Sequence, residues 1–181
     1  MNNKCTECKR GKRGKQGLQG IPGKQGIQGI QGIQGIPGIP GTMNISNFYS
    51  LMQYDNSSKI AIGDAINFDK DGPTNNSNIK RLSPSTFNLE LVGIYEIIFQ
   101  VNIKDAAQLV IVINGNELDY TVIGKAIGTN QILGDCLILT TIPNSVLSIN
   151  NPIGSNNEII IETYNNGNIS VSANLIIKRY D

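Results

Sequence analysis

At 181 residues the chain is long enough for one well-buried domain and an appendage. It contains no histidine, so the commonest general base and metal ligand is missing and a Ser-His-Asp arrangement is excluded. Fifteen basic residues nearly balance fourteen acidic ones, yet seven of the basic residues and only one acid lie at or before Gly41, which makes a basic N-terminal part and an acidic remainder.

The chain starts "MNNKCTECKRGKRGK", charged but without an apolar core, so no secretory signal is expected. No run approaches the ~18 apolar residues of a membrane span. Such a basic end suits an anionic surface, and it lacks the aromatic platform of a nucleic-acid site. Cys5 and Cys8 form a C-x-x-C pair. Half a zinc site would need ligands the region lacks, and a redox motif would need a βαβ context. Interchain disulfides among convergent copies of Cys5 and Cys8 are the favoured reading; shared metal binding and free thiols stay open.

From Gly11 the sequence keeps a strict three-residue period: Gly11, Gly14, Gly17, Gly20, Gly23, Gly26, Gly29, Gly32, Gly35, Gly38 and Gly41. Three polyproline-like chains coil about one axis only when every third residue lacks a side chain. Pro22, Pro37 and Pro40 all take the Y position. A flexible linker would show no strict period and would favour Ser over Ile and Gln. The segment 11–41 therefore reads as a collagen-like stalk, roughly 90 Å long at most from ~3.1 Å per residue. Few prolines and repeats such as "GIQGIQGIQ" leave its register indecisive. Residues 42–181 are then required to trimerise and align it.

Beyond Gly41 short β-rich runs alternate with Asn, Asp, Gly and Pro clusters. Strands are expected near 47–54, 59–68, 94–103, 108–113, 130–140 and 145–150, with hairpins about Asn114-Gly115 and Asn166-Gly167. In "IYEIIFQVNI" Tyr95, Ile97, Phe99, Val101 and Ile103 share one face, while Ile94 and Ile98 join Glu96, Gln100 and Asn102 on the other. No capped run of helical period and length occurs. The fold class expected is all-β, an antiparallel two-sheet sandwich or jelly roll.

Two runs are apolar on both faces: Leu109, Val110, Ile111, Val112 and Ile113, and Ile159, Ile160 and Ile161. An antiparallel strand with one solvated face would alternate. These eight residues are candidates for core and trimer interface, the alternative being cover by a loop of the same chain. Glu96, Glu117, Asp119, Glu158 and Glu162 read as solvent-facing strand positions, and "FDKDGPTNNSN" (68–78) lacks the glycine and glutamate of a calcium loop. Cys136 reads as a small buried apolar residue. No catalytic residue, metal site or cofactor is expected.

The segments "FYSLM" (48–52), "DGPT" (71–74), "RLSPSTFNLELVGIYEIIFQVNI" (81–103), "QLVIVINGNEL" (108–118), "GTNQILGD" (128–135), "PNSVLSINNP" (143–152) and "SANLIIK" (172–178) follow one another in an order that resembles the trimeric jelly roll of complement-type and tumour-necrosis-factor-like domains. More closely, they resemble the C-terminal domain of BclA-type collagen-like glycoproteins of spore surfaces. The resemblance implies two five-stranded sheets, a non-covalent homotrimer and a stalk anchored by its N-terminal end. It implies residence in an exosporium-like layer, or on a virion, where collagen-plus-head proteins also occur. Unlike spore-surface stalks rich in Gly-Pro-Thr, this stalk has no threonine to carry sugars. Two functions are expected: a structural filament whose basic end binds an anionic coat or other surface proteins, or a host-ligand-binding head on a spacer.

Overall fold

The computed structural model describes residues 11–29, 31, 43–53, 58–75, 78–126, 130–162 and 169–180. The chain divides into two units, Met1–Gly38 and Ile39–Asp181. In the first, the described residues are exposed and belong to no helix or strand.

The second unit is all-β, apart from one 3-10 turn, among the described residues. Its strands are β1 (Asn44–Gln53), β2 (Ser58–Ile60), β3 (Lys70–Thr74), β4 (Ile79–Ser83), β5 (Thr86–Leu89), β6 (Gly93–Ile103), β7 (Ala107–Ile113), β8 (Asn116–Glu117), β9 (Ile123–Lys125), β10 (Asn130–Thr140), β11 (Ser145–Asn150), β12 (Ile159–Ile161) and β13 (Ile169–Tyr180). One seven-stranded sheet runs β2-β12-β6-β13-β1-β3, with β10 added to β6. The second, six-stranded sheet runs β4-β5-β11-β7-β8, with β9 also paired to β7. The pairings are antiparallel throughout.

Alternation of side chains dictates what lies between the sheets. From β6, Tyr95, Ile97, Phe99, Val101 and Ile103 are all buried, as their shared period requires. Leu175 and Ile177 of β13, Ile132 and Ile138 of β10, and Leu109 and Ile111 of β7 join them. Phe48, Phe87 and Phe68 stack in the same core, with ring centroids 4.5 and 6.0 Å apart. Tyr95 is buried but keeps its polar tip satisfied, its hydroxyl donating to the Leu91 carbonyl at 2.6 Å. Gly134 of β10 lies opposite Phe99, and a Cβ there would collide with the phenyl ring.

The hairpin expected at Asn114-Gly115 is present, with φ of 52° and 80°. These positive values fit a two-residue turn that matches the twist of the strands. Its return strand is shorter than expected. After β8 the chain makes the 3-10 turn Asp119–Thr121, then resumes pairing with β7 as β9. Thr121 bridges the interruption: its hydroxyl accepts from the Ile111 N–H at 3.0 Å and donates to the Leu118 carbonyl at 2.7 Å. The strand expected at 59–68 is only β2, followed by irregular chain tied to β11 through the Ala65–Asn150 bridge. The Asn166-Gly167 turn lies outside the described residues.

Candidate interaction surface

The two doubly apolar runs have separate surroundings on their two faces. Leu109 and Ile111 point into the core, and Ile113 packs against it half-buried. Val110 and Val112, on the opposite face of β7, are 0% and 7% exposed within the single chain. Their burial therefore requires no second subunit; cover by the chain itself accounts for it. Ile159 and Ile161 are core residues, and Ile160 is half-buried.

A different face is left uncovered. Register places four rows across the outward side of the seven-stranded sheet. The first is Leu139, Ile94 and Tyr180; the second is Leu137, Glu96, Lys178 and Ile45. The third is Asp135, Ile98, Ile176 and Asn47; the fourth is Leu133, Gln100, Asn174 and Tyr49. Leu133, Leu137 and Leu139 are 63%, 59% and 64% exposed, and Ile94 and Tyr180 are nearly half exposed. Leu91, Val92 and Ile142 are also exposed, next to the end of this sheet where Gly93 meets Thr140. The leucines belong to β10, whose pairings all go to β6 among the described residues.

Polar groups interrupt the apolar rows in a defined way. Lys178 Nζ lies 2.7 Å from Glu96 Oε2, and the Tyr180 hydroxyl donates to the same oxygen at 3.0 Å. The Lys178 ammonium, helped by that hydroxyl, holds the Glu96 carboxyl below its usual range, and Glu96 in turn holds Lys178 above its own. Asn47 Nδ2 donates to Asn174 Oδ1 at 2.7 Å. Asp135 has no ion pair among the described residues.

The remaining acids of the sequence reading are mostly engaged locally. Glu158 pairs with Lys59 at 2.6 Å, Glu162 with Lys104 at 3.4 Å, and Glu117 accepts from the Ile153 N–H. In the oxygen-rich stretch at 68–78, Arg81 donates to both oxygens of Asp71, at 2.9 and 2.7 Å, and Ser50 donates to Asp69. These bonds keep both carboxyls ionised and occupied. Cys136 is half-buried on the inward side of β10, where burial pushes its thiol up. Cys5 and Cys8 lie outside the described residues.

Of the periodic glycines, Gly11, Gly14, Gly17, Gly20, Gly23, Gly26 and Gly29 are described, and a Cβ at any of them would meet nothing within 4 Å. Nothing inside the chain demands glycine there. Gly32, Gly35, Gly38 and Gly41 lie outside the described residues.

The exposed β10 leucines were not singled out in the sequence, although a signal existed. "QILGDCLILT" puts Ile132, Gly134, Cys136 and Ile138 on one face and Leu133, Leu137 and Leu139, interrupted by Asp135, on the other, so both faces carry apolar residues.

No protein-family model and no curated protein matches this chain. Solved structures do. Eiger TNF from S. frugiperda matches with a TM-score of 0.55 at 7% identity, over 77% of this chain and 93% of that one. Murine APRIL at pH 5.0 matches at 0.52 and 10%, over 76% and 99%. The globular domain of zebrafish complement 1qA protein matches at 0.50 and 9%, over 75% and 94%. The C-terminal unit thus has the jelly-roll fold of tumour-necrosis-factor-like and complement-type globular domains.

Proposed function

We propose that this chain is a structural, non-enzymatic surface protein whose C-terminal head forms a homotrimer through the outward face of its seven-stranded sheet. The observation that carries the reading is the row of exposed leucines, Leu133, Leu137 and Leu139, flanked by Ile94 and Tyr180 on one sheet face. Large exposed apolar side chains gathered on one sheet face mark an interaction site, even with polar groups set among them. Burying what remains exposed of each leucine is worth about 1–2 kcal/mol. A second copy of the same chain is the occupant, and the glycine period supplies the number three. Glycines that no neighbour in their own chain requires are what a three-stranded helix needs at its axis. The tumour-necrosis-factor and complement type of head, often trimeric, fits the same assembly.

In this reading the head gathers three chains and sets the register of the collagen-like stalk, which zips toward the N-terminus. The basic N-terminal segment, with Cys5 and Cys8 available for interchain disulfides, attaches to an anionic coat or other surface proteins of a spore or virion. The test is sedimentation of the full chain. Wild type is expected near three times its 19.6 kDa chain mass. The double variant Leu137→Asp/Leu139→Asp is expected to sediment as a folded monomer. A variant that remains trimeric would put the interface elsewhere.

A second reading, a ligand-engaging head on a spacer, is favoured by one observation. A hollow lies at the end of the sandwich opposite Asn44, and several of its polar side chains have no partners among the described residues. Three copies of a weak site gain from avidity, by 10² or more in favourable geometry.

A further inference from the structure

We infer that this hollow binds an acidic saccharide, a ligand that presents several hydroxyls and a carboxylate. The inference rests on the second reading above and names its ligand class.

Register fixes the location. β1 starts and β13 ends at one end of the seven-stranded sheet, where Asn44 pairs with Arg179 and Tyr180 with Ile94. β6 runs from there to Ile103 at the far end, and a short connection leads to Ala107. β9 lies beside the start of β7, with Lys125 opposite Ala107 and Gly124 opposite Gln108. Residues 154–157, on the path from β11 to β12, complete the wall. The hollow is open to solvent and has a volume of about 460 Å³, within the ~300–1,000 Å³ range of small-molecule sites. It lies away from the leucine-bearing middle of the sheet face, so trimerisation through that face leaves it open.

The lining selects the chemistry. Its polar side chains are Gln108, Lys125, Ser155, Asn156 and Asn157; the rest are alanines and glycines. Each amide offers both donors and an acceptor, as a polyol requires. The side chains of Gln108, Lys125, Asn156 and Asn157 make no hydrogen bond or ion pair to any described residue, so a ligand displaces no internal bond. Among the described residues, no carboxylate and no aromatic ring lines the hollow. Lys125 is the one charge among its described lining residues, which favours an anion, and the small apolar residues offer little to a greasy ligand. Gly124 is part of the design: a Cβ there would come within 2.6 Å of Gln108 Cγ and displace that side chain.

The test titrates the full chain with sialyllactose, lactose and inorganic phosphate by calorimetry, alongside Lys125→Met and Asn156→Asp. Sialyllactose is expected to bind saturably with a dissociation constant of about 1 mM or below. Lactose and phosphate should each bind about ten-fold or more weakly. Both variants should lose about ten-fold while melting temperature and sedimentation stay unchanged. Lack of saturable sialyllactose binding overturns the inference. So does phosphate binding as tightly as sialyllactose, or wild-type affinity in both variants. Sedimentation of the same samples reports on the trimer, so a failure of assembly and a failure of binding are told apart.

Discussion

Strands β7 and β10 both carry large apolar residues on both faces, and they meet opposite circumstances. On β7 the outward residues Val110 and Val112 are covered by their own chain. On β10 the outward residues Leu133, Leu137 and Leu139 are more than half exposed. A doubly apolar strand therefore announces that both faces will be covered, without saying by what. β7 lies inside its sheet, between β11 on one side and β8 and β9 on the other, whereas β10 pairs with β6 alone among the described residues. Long apolar edge strands are left so only where something else protects them.

The sharpest way to break this comparison is one charge on each strand. Val110→Asp places an unpaired carboxylate at a fully buried position. That costs several kcal/mol, against a total stability of about 5–15 kcal/mol. Circular dichroism of the full chain should show loss of the cooperative thermal transition, or a fall in melting temperature of about 10 °C or more. Leu137→Asp/Leu139→Asp should instead keep a folded spectrum and lose only the trimer. If Val110→Asp folds normally but is monomeric, the outward face of β7 is an interface after all.

How far the sequence could be read follows from the same contrast. Local signals were sufficient where the physics is local: positive φ at Asn114 and Gly115 made the hairpin, and the alternation of β6 named its five core residues. The glycine period was equally plain. The short edge strand β3 was hidden because Gly72-Pro73 in its middle reads as a turn, although an edge strand tolerates proline. The expected strand at 59–68 broke off early, since Ala65 makes an isolated bridge to Asn150, a partner no local pattern reveals. Both candidate surfaces are built across strands. The leucine face joins β10 to Ile94 on β6 and Tyr180 on β13, and the hollow joins Gln108, Lys125 and Asn156. Only pairing brings such residues together, so their juxtaposition was illegible one segment at a time.

A second contrast lies between the two units, and it predicts a smaller, local effect. Gly72, Gly124 and Gly134 of the head have neighbours that leave no room for a side chain, whereas Gly29 has none in its chain. Gly29→Val should therefore leave head folding and sedimentation as a trimer intact. It should interrupt the triple helix at that triplet, opening it to proteolysis and lowering the stalk's melting transition. A stalk as protease-resistant and as heat-stable as wild type would mean that the glycine period serves no three-chain axis.

The smallest effect concerns the ion pair set among the apolar rows, Glu96 with Lys178. Glu96 is held below its ordinary value of 4.5 chiefly by Lys178, so its stabilisation is complete above about that pH and is lost as pH falls through the lowered folded value. Lys178 is held above 10.5 by the same pair, so its contribution persists up to that pH and disappears only as pH rises past the raised value. Between about pH 5 and 9 the pair is therefore insensitive to pH. Glu96→Gln preserves the acceptor for Tyr180 and removes the charge. An ion pair of this kind is worth about 1 kcal/mol or less, so the variant should melt a few degrees at most below wild type at neutral pH. That difference should shrink to nothing only as the pH falls through the lowered folded value of Glu96, where wild type also loses the charge. A gap that survives acid would mean that Glu96 acts by shape and hydrogen bonding. The face would then be held together by its leucines alone, with no electrostatic contribution from the pair at its centre.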